Sequence, residues 1–291
     1  MSIAYFAPLL KIIDAELASA GSRDVPKILQ RLSVDVFALL VWRKRQLTEY
    51  TNLQKFLADL PSEEIQAKFA GGKGEALLPR VTFFANYIQN QMLRNFGTLD
   101  LSILDYGCGW GRISRLLPYF TAYDKIHLVD PLAACPEYFG DEKLVKRFQQ
   151  FPALPGLNDV LPSFDICFLF SIFTHTPEFL TKEILEKIRS SPAKNTSGRT
   201  KAKRRLLVLT VRPETFWDYS PGLQPGTDSV AVKEEHRKFD YAFVPQPANG
   251  LYGDASYGYL KVLTLAPFLE VVDITYSVVD PFQIFYTFRI N

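Results

Sequence analysis

A strand followed by alternating glycines is the feature that most restricts the fold of this chain. The apolar run Leu101–Leu104 stops at Asp105, and every second residue from Gly107 to Gly111 is then a glycine. Apolar residues at helical spacing follow over 113–117. Glycine lets the backbone approach a ligand closely and take turn conformations that a Cβ would block. The pattern therefore predicts a strand, a tight turn and a helix whose first amides face an anionic ligand group.

A second apolar run, Ile126–Val129, also ends at a carboxylate, Asp130. An ionised carboxylate in that place can accept both hydroxyls of a ribose, because it has two acceptor oxygens. The dinucleotide fingerprint requires G-x-G-x-x-G, whereas this chain has G-x-G-x-G with an acid two residues before the first glycine. The spacing disfavours an NAD enzyme and indicates a nucleoside with a charged tail.

Together these residues resemble the class I S-adenosylmethionine-dependent methyltransferases, whose first motif is D-x-G-x-G-x-G. Asp105 and the three glycines match that motif, and Asp130 stands where the family has its ribose-binding acid. The segment Phe164–His175 is similar to the family's fourth strand and the loop after it. The segment Phe268–Arg289 is similar to its closing antiparallel hairpin. The resemblance covers residues 101–291 and implies S-adenosylmethionine as the cofactor.

The resemblance also implies which residues line the cofactor site. They are Asp105, Gly107, Cys108, Gly109, Gly111, Arg112, Asp130, Pro131, Phe151, Phe170 and Ser171. Many relatives hold the adenine amino group with an acid after the third strand, whereas residues 149–153 contain none. Backbone groups or stacking on Phe151 are expected to serve instead. No metal is expected, since methyl transfer from a sulfonium requires placement above all and the sequence has no metal-ligand spacing.

Two histidines are candidate catalytic residues. A hydroxyl acceptor gains from a base, because its proton leaves as the new bond forms, and a histidine suits that role near neutral pH. His175 follows the fourth predicted strand, and His236 lies in the segment 213–258, which is rich in Tyr, Trp and Pro. Each has a structural alternative: His175 can cap or pack beneath the helix near Pro177, and His236 can be a solvated loop residue. His127 is interpreted as a structural residue of the second strand.

The sequence changes character near residue 97. Before it, apolar residues recur at helical spacing, as over 83–92, which predicts an N-terminal helical region. After it, short apolar strands alternate with helical stretches. This predicts a doubly wound, mostly parallel sheet of seven strands with a C-terminal antiparallel hairpin. The strands are expected at 101–105, 126–130, 144–150, 165–171, 205–211, 269–277 and 283–290. Two domains are predicted, 1–97 and 98–291, with the first as a cap, a lid or a homodimer contact.

Charge and cysteine content restrict partners and location. The net charge of +2 gives no reason to expect nucleic acid or an anionic membrane. The basic segment 194–205 lacks interleaved aromatics and is interpreted as a solvated loop. Three unpatterned cysteines and the lack of a signal peptide predict a cytoplasmic protein with reduced thiols. The apolar runs are too short to cross a bilayer.

These observations favour methyl transfer to a small polar acceptor, such as a sugar, a phenol or another natural-product hydroxyl. Many base-modifying relatives carry an Asn-Pro-Pro-Tyr type segment after the fourth strand, but this chain has Ser171–Thr174 there. That difference favours oxygen over a nucleobase nitrogen. Two alternatives stay open: a protein or RNA methyltransferase, and a module that binds S-adenosylmethionine without turnover.

Overall fold

The computed structural model describes residues 3–192, 205–219, 223, 226–247 and 249–291. The chain divides into two compact units, residues 1–150 and residues 151–291. We call them the first and the second unit. The basic segment predicted as a solvated loop lies, apart from Arg205, outside the described residues. The predicted domain boundary at residue 97 stays a prediction.

The first unit begins with helices, as the spacing of its apolar residues predicts. Ser62 starts α5 because its hydroxyl accepts a hydrogen bond from the Ile65 amide at 3.4 Å. Gly71 ends that helix in the left-handed conformation, with φ of +61°. The helices before the first strand are α1 (Ala7–Leu17), α2 (Val25–Leu29), α3 (Val34–Trp42), α4 (Thr51–Gln54), α5 (Glu63–Ala70) and α6 (Leu78–Phe96). Short 3₁₀ helices cover Ile3–Phe6, Lys44–Gln46 and Gly74–Leu77.

Three parallel strands complete the first unit, in the order β3-β2-β1. They are β1 (Ile103–Tyr106), β2 (Ile126–Asp130) and β3 (Phe148–Gln150). The predicted strand at 144–150 is too long, because its first part lies in a helical turn, α8 (Glu142–Val145). Asp141 starts that turn by accepting a hydrogen bond from the Lys143 amide.

The helix predicted directly after the glycine turn is shorter than expected. A 3₁₀ helix, Ser114–Leu116, precedes a four-residue helix, α7 (Leu117–Phe120). Pro118 has no amide hydrogen to donate to the carbonyl of Ser114, so a continuous α-helix cannot form there. So short a helix supplies little dipole, and the expected anionic ligand group at this turn stays a prediction. Further 3₁₀ helices lie at Tyr123–Lys125 and Cys135–Tyr138.

The second unit continues the alternation of strands and helices. Its sheet strands lie in the order β4-β5-β9-β8, with β4 and β5 parallel and both pairs that contain β9 antiparallel. They are β4 (Ile166–Leu169), β5 (Arg205–Val211), β8 (Leu269–Tyr276) and β9 (Ile284–Ile290). The helices are α9 (Glu178–Ser190), α10 (Ser229–Phe239) and α11 (Tyr259–Leu265), and a 3₁₀ helix covers Glu214–Asp218.

The predicted fold class is confirmed. Seven strands belong to one mostly parallel sheet that closes with a C-terminal antiparallel hairpin, and helices precede and connect the strands. A separate two-stranded sheet was not predicted. It pairs β6 (Tyr241–Gln246) with β7 (Asn249–Tyr257) in antiparallel register. Among the described residues, no helix combines the length and the apolar character that crossing a bilayer would require.

Candidate functional site

The three glycines of the first unit form a left-handed turn after β1. The backbone φ is +77° at Gly107, +51° at Gly109 and +77° at Gly111. Side chains disfavour this region, so the turn depends on glycine. The amides of Gly107 and Cys108 both donate to the carbonyl oxygen of Val129, at 2.8 and 3.1 Å. These bonds hold the turn against the end of β2.

Asp130, the last residue of β2, is bonded to the turn and to the loop that follows it. One carboxylate oxygen accepts from the Gly109 amide at 2.8 Å, and the other accepts from the Leu132 amide at 2.9 Å. The pKa of the Cys135 thiol is raised mainly by burial. The charge of Asp130 and a hydrogen bond between Cys135 and Asp130 raise it further. A carboxylate offers about four lone-pair sites. Asp130 therefore supports the turn and keeps acceptor capacity for a ligand hydroxyl.

Asp105 is buried below the turn, with 3% of its surface exposed. Its partner is the hydroxyl of Ser114, which donates to the carboxylate at 2.6 Å. Burial raises the pKa of Asp105 to about 7, although the Ser114 hydrogen bond lowers it. The charge of Asp130 raises this pKa further, and that of Arg112 lowers it. Asp105 thus exchanges a proton near neutral pH.

Arg115 was missed by the sequence analysis and braces the turn from below. Its guanidinium donates to the carbonyl oxygens of Gly111 at 2.8 Å, Trp110 at 2.9 Å and Asp59 at 2.9 Å. It also lies 4.6 Å from the centre of the Trp110 ring. Burial lowers the pKa of Arg115 to about 9. The signal in the sequence is its position four residues after Gly111, which is one helical turn.

The N-terminal helices reach the same turn. The ring of Phe69, in α5, lies 3.4 Å from the position that a Cβ on Gly109 would take. The backbone at Asp59 donates to the carbonyl oxygen of Gly140 at 3.0 Å. The helical region therefore packs on the glycine turn within the first unit.

Most predicted cofactor residues of the first unit surround this turn. Arg112 is half-buried on it, whereas Pro131 is exposed and accepts a hydrogen bond from Gln150 at 3.0 Å through its carbonyl oxygen. The group around the turn comprises Asp105, Gly107, Cys108, Gly109, Gly111 and Asp130. Whether they bind a cofactor stays a prediction.

In the second unit, Ser171 lies two residues after β4 in a left-handed conformation, with φ of +62°. Its amide donates to the Thr210 hydroxyl oxygen at 2.8 Å, and its own hydroxyl pairs with that of Thr174 at 2.9 Å. Phe170 packs edge-on against Phe285, with 6.5 Å between the ring centres. Non-glycine residues adopt this conformation rarely, and such strain concentrates at functional sites. The hydroxyls of Ser171, Thr174 and Thr210 form a polar cluster after the end of β4, and the predicted residues Phe170 and Ser171 both lie there.

His175 lies in a second cluster of the same unit. Its Nδ1 donates to the carbonyl oxygen of Gly253 at 2.8 Å, and its Nε2 faces the guanidinium of Arg212 at 3.5 Å. Arg212 also donates to Asp254 at 2.5 Å. The ring of Tyr252 stacks on the imidazole with 4.7 Å between centres. Burial, followed by the Arg212 charge, lowers the pKa of His175 to about 3, so the imidazole is neutral at pH 7.

His236 and Phe151 are two further predicted site residues of the second unit. His236 is in α10, buried rather than in a solvated loop, and its Nδ1 pairs with the Ser256 hydroxyl at 2.7 Å. The Trp217 indole donates to the same hydroxyl at 2.7 Å. A hydroxyl can donate once and accept twice, so the tautomer of His236 sets the direction of its hydrogen bond with Ser256. Phe151 is buried, with 2% of its surface exposed.

The cysteines and the possible metal ligands are the remaining candidates for a functional role. All three cysteines, Cys108, Cys135 and Cys167, are buried, and none of them forms a disulfide. In the part of the chain that the structure describes, no three His, Cys, Asp or Glu side chains are grouped so that they could hold a metal ion.

Comparisons with known proteins support the fold. No protein-family model and no curated protein sequence matches this chain. The crystal structure of PH0226 protein from Pyrococcus horikoshii OT3 is similar over 84% of this chain and 100% of its own, with 12% identity and a TM-score of 0.50. The magnesium protoporphyrin IX methyltransferase (ChlM) from Synechocystis PCC 6803 with bound SAH is similar over 87% of this chain and 99% of its own, with 11% identity and a TM-score of 0.48. At such identities, the similarity to PH0226 shows a shared fold.

Proposed function

We propose that this chain is an S-adenosylmethionine-dependent methyltransferase. The observation that carries the proposal is the glycine turn, whose three left-handed glycines lie between two buried acids, Asp105 and Asp130. A turn without Cβ atoms lets a ligand approach the backbone closely. It also matches the first motif of the class I methyltransferases residue by residue.

The residues of the turn have separable roles in this proposal. Asp130 would accept the ribose hydroxyls with the lone pairs that its two backbone bonds leave free. Asp105 would form the wall of the site on the methionine side. When bound, S-adenosylmethionine supplies a methyl group that is activated by a sulfonium. Arg115 would keep the turn in place from below, since four backbone carbonyl oxygens accept hydrogen bonds from its guanidinium.

The acceptor is proposed to be a small polar molecule that is methylated at oxygen. The polar groups at the ends of β4 and β5 support this, because hydroxyls and an arginine there suit a hydroxylated substrate. His175 would contact the acceptor through its neutral ring, since its Nδ1 is bonded to Gly253, its Nε2 faces Arg212, and the pKa near 3 leaves it little affinity for a proton. Placement of the acceptor in line with the methyl group then supplies most of the acceleration.

The roles of His175 and His236 are tested by turnover. If either acts as a base, its replacement by alanine lowers turnover strongly and leaves cofactor affinity intact. Retained turnover in both His175→Ala and His236→Ala would mean that placement alone suffices. A homodimer and a cytoplasmic location remain parts of the same proposal.

Calorimetry tests the cofactor directly. S-adenosylmethionine and S-adenosylhomocysteine should bind the wild-type protein, and NAD should not. Loss of the Asp130 carboxylate in Asp130→Ala should weaken binding by about 1.5–3 kcal/mol, the contribution of hydrogen bonds to a charged group. Asp273→Ala is a control in another strand, β8, that lies outside the proposed cofactor set. Binding of NAD alone, or equal affinities in Asp130→Ala and the wild type, would contradict the proposal.

A further inference from the structure

One buried polar group has no partner among the described residues. It is the side-chain oxygen Oε1 of Gln283, a residue with only 7% of its surface exposed. Buried polar atoms are nearly always hydrogen-bonded, because an unsatisfied one loses its hydration without compensation. Gln283 immediately precedes β9. Its other side-chain atom, Nε2, donates to the hydroxyl oxygen of Ser171 at 3.4 Å, which is a long hydrogen bond.

The backbone groups of Gln283 and the neighbouring Ser171 hydroxyl already have hydrogen-bond partners. Its backbone amide donates to Asp280 and its carbonyl oxygen accepts from Ser277, at 3.0 and 3.1 Å. The Ser171 hydroxyl is paired with Thr174 at 2.9 Å. Turning the amide over would satisfy Oε1 and leave Nε2 without a partner instead. In either orientation half of this buried amide lacks a hydrogen bond.

A second, independent observation lies at the same place. Ser171 has φ of +62°, a conformation that side chains disfavour, although no glycine is used there. The Thr210 hydroxyl oxygen holds its amide at 2.8 Å. Strained backbone and unsatisfied polar groups both lower stability, and proteins retain them mainly at sites of function. Here the two meet at the ends of β4 and β5, where open sheets of this type bind ligands.

We propose that Gln283 binds the methyl acceptor and that its Oε1 accepts a hydrogen bond from a hydroxyl group of that molecule. The identity of the ligand rests on the proposed function. The missing hydrogen bond of Oε1 does not depend on it. The ligand class follows from the amide: a carbonyl oxygen only accepts, so its partner must be a hydrogen-bond donor, as the hydroxyl of the proposed acceptor is. A pocket of this kind rejects an analogue that lacks the hydroxyl, since the carbonyl would then stay unpaired.

The first test needs no ligand. Gln283→Met keeps the length of the side chain and removes the orphaned carbonyl, so its thermal midpoint should rise by about 2 °C. Gln66→Met is the matched control. Gln66 is 2% exposed, but its amide donates to Pro61 at 2.9 Å and accepts from Gly74 at 2.8 Å. That variant should melt lower than the wild type. If the thermal midpoint of Gln283→Met fell by as much as that of Gln66→Met, the proposal would be overturned.

The second test separates the acceptor from the cofactor. Tritiated S-adenosylmethionine is incubated with a small-molecule extract, and S-adenosylhomocysteine binding is measured by calorimetry on the same proteins. Gln283→Met should lose at least tenfold in methyl transfer and keep the wild-type affinity for S-adenosylhomocysteine. Unchanged transfer, or an equal loss of S-adenosylhomocysteine affinity, would overturn the assignment to the acceptor.

Two further outcomes are distinguishable. A wild-type protein that binds no S-adenosylhomocysteine would refute the proposed function, and the melting comparison would still decide whether the Gln283 amide is orphaned. A crystal structure with an ordered water that joins Oε1 to protein groups would refute the ligand-binding role, because the amide would then be satisfied structurally.

Discussion

Replacing Asp105 by asparagine should make the free energy of unfolding of this protein less dependent on pH. The carboxyl group is buried below the glycine turn, and burial raises its pKa from 3.8 to about 7. Its hydrogen bond from Ser114 at 2.6 Å opposes that rise without cancelling it. An asparagine has the same shape, can accept the same hydrogen bond and does not titrate.

The sign follows from the direction of the shift. Because the folded state has the higher pKa, it holds the proton more tightly than the unfolded chain does. The contribution of this proton to the free energy of unfolding is fully present below pH 4 and is lost as the pH rises through 7. The gap of about three pKa units corresponds to about 4 kcal/mol in total. Between pH 5 and pH 8 the loss is about 3 kcal/mol.

Urea unfolding at pH 5 and at pH 8 measures this loss. The wild type should lose about 3 kcal/mol more of its unfolding free energy between these values than Asp105→Asn does. Ser114→Ala is the matched perturbation: without the hydroxyl donor the pKa of Asp105 should rise, so the loss should move to higher pH. An identical pH dependence in the wild type and Asp105→Asn would refute the assignment of a buried, protonated carboxyl group.

Three further predictions concern the first unit and His175. Arg115→Met should lower the unfolding free energy by about 3 kcal/mol or more in urea titrations, because backbone carbonyls lose a buried donor; a change below 1 kcal/mol would contradict its bracing role. Gly140→Ala should destabilise far more than Gly97→Ala in thermal melts. Both have positive φ, but only a Cβ at position 140 would meet backbone, 2.3 Å from the Asp59 oxygen. Since the pKa of His175 is lowered to about 3, its protonation should not limit turnover between pH 5 and 8; an activity loss near pH 6.5 that His175→Gln abolishes would show otherwise.

Local sequence patterns were sufficient for much of the fold. The predicted strands at 126–130, 205–211 and 283–290 agree with β2, β5 and β9 to within one residue. The start of α5 at Ser62 agrees with the preference of serine for helix N-termini. Short apolar runs, capping residues and glycines act through contacts within a few residues, so a single sequence records them.

Contacts between distant residues escaped the sequence analysis. The β6–β7 hairpin was missed, because its strands lie in the segment 213–258, which was described only as rich in Tyr, Trp and Pro. Arg115 is an ordinary basic residue until Asp59, 56 positions earlier, supplies its carbonyl. Gln283 likewise becomes notable only beside Ser171, 112 positions away.

The sequence by itself determined the strands of the main sheet, the glycine turn and the acids that flank it. Only the tertiary structure decided which polar groups are satisfied, how the pKa values of Asp105 and His175 shift, and which buried amide lacks a partner. The physical reason is that burial and hydrogen-bond pairing depend on chain segments far apart in sequence, whereas turn and strand preferences arise from neighbouring residues.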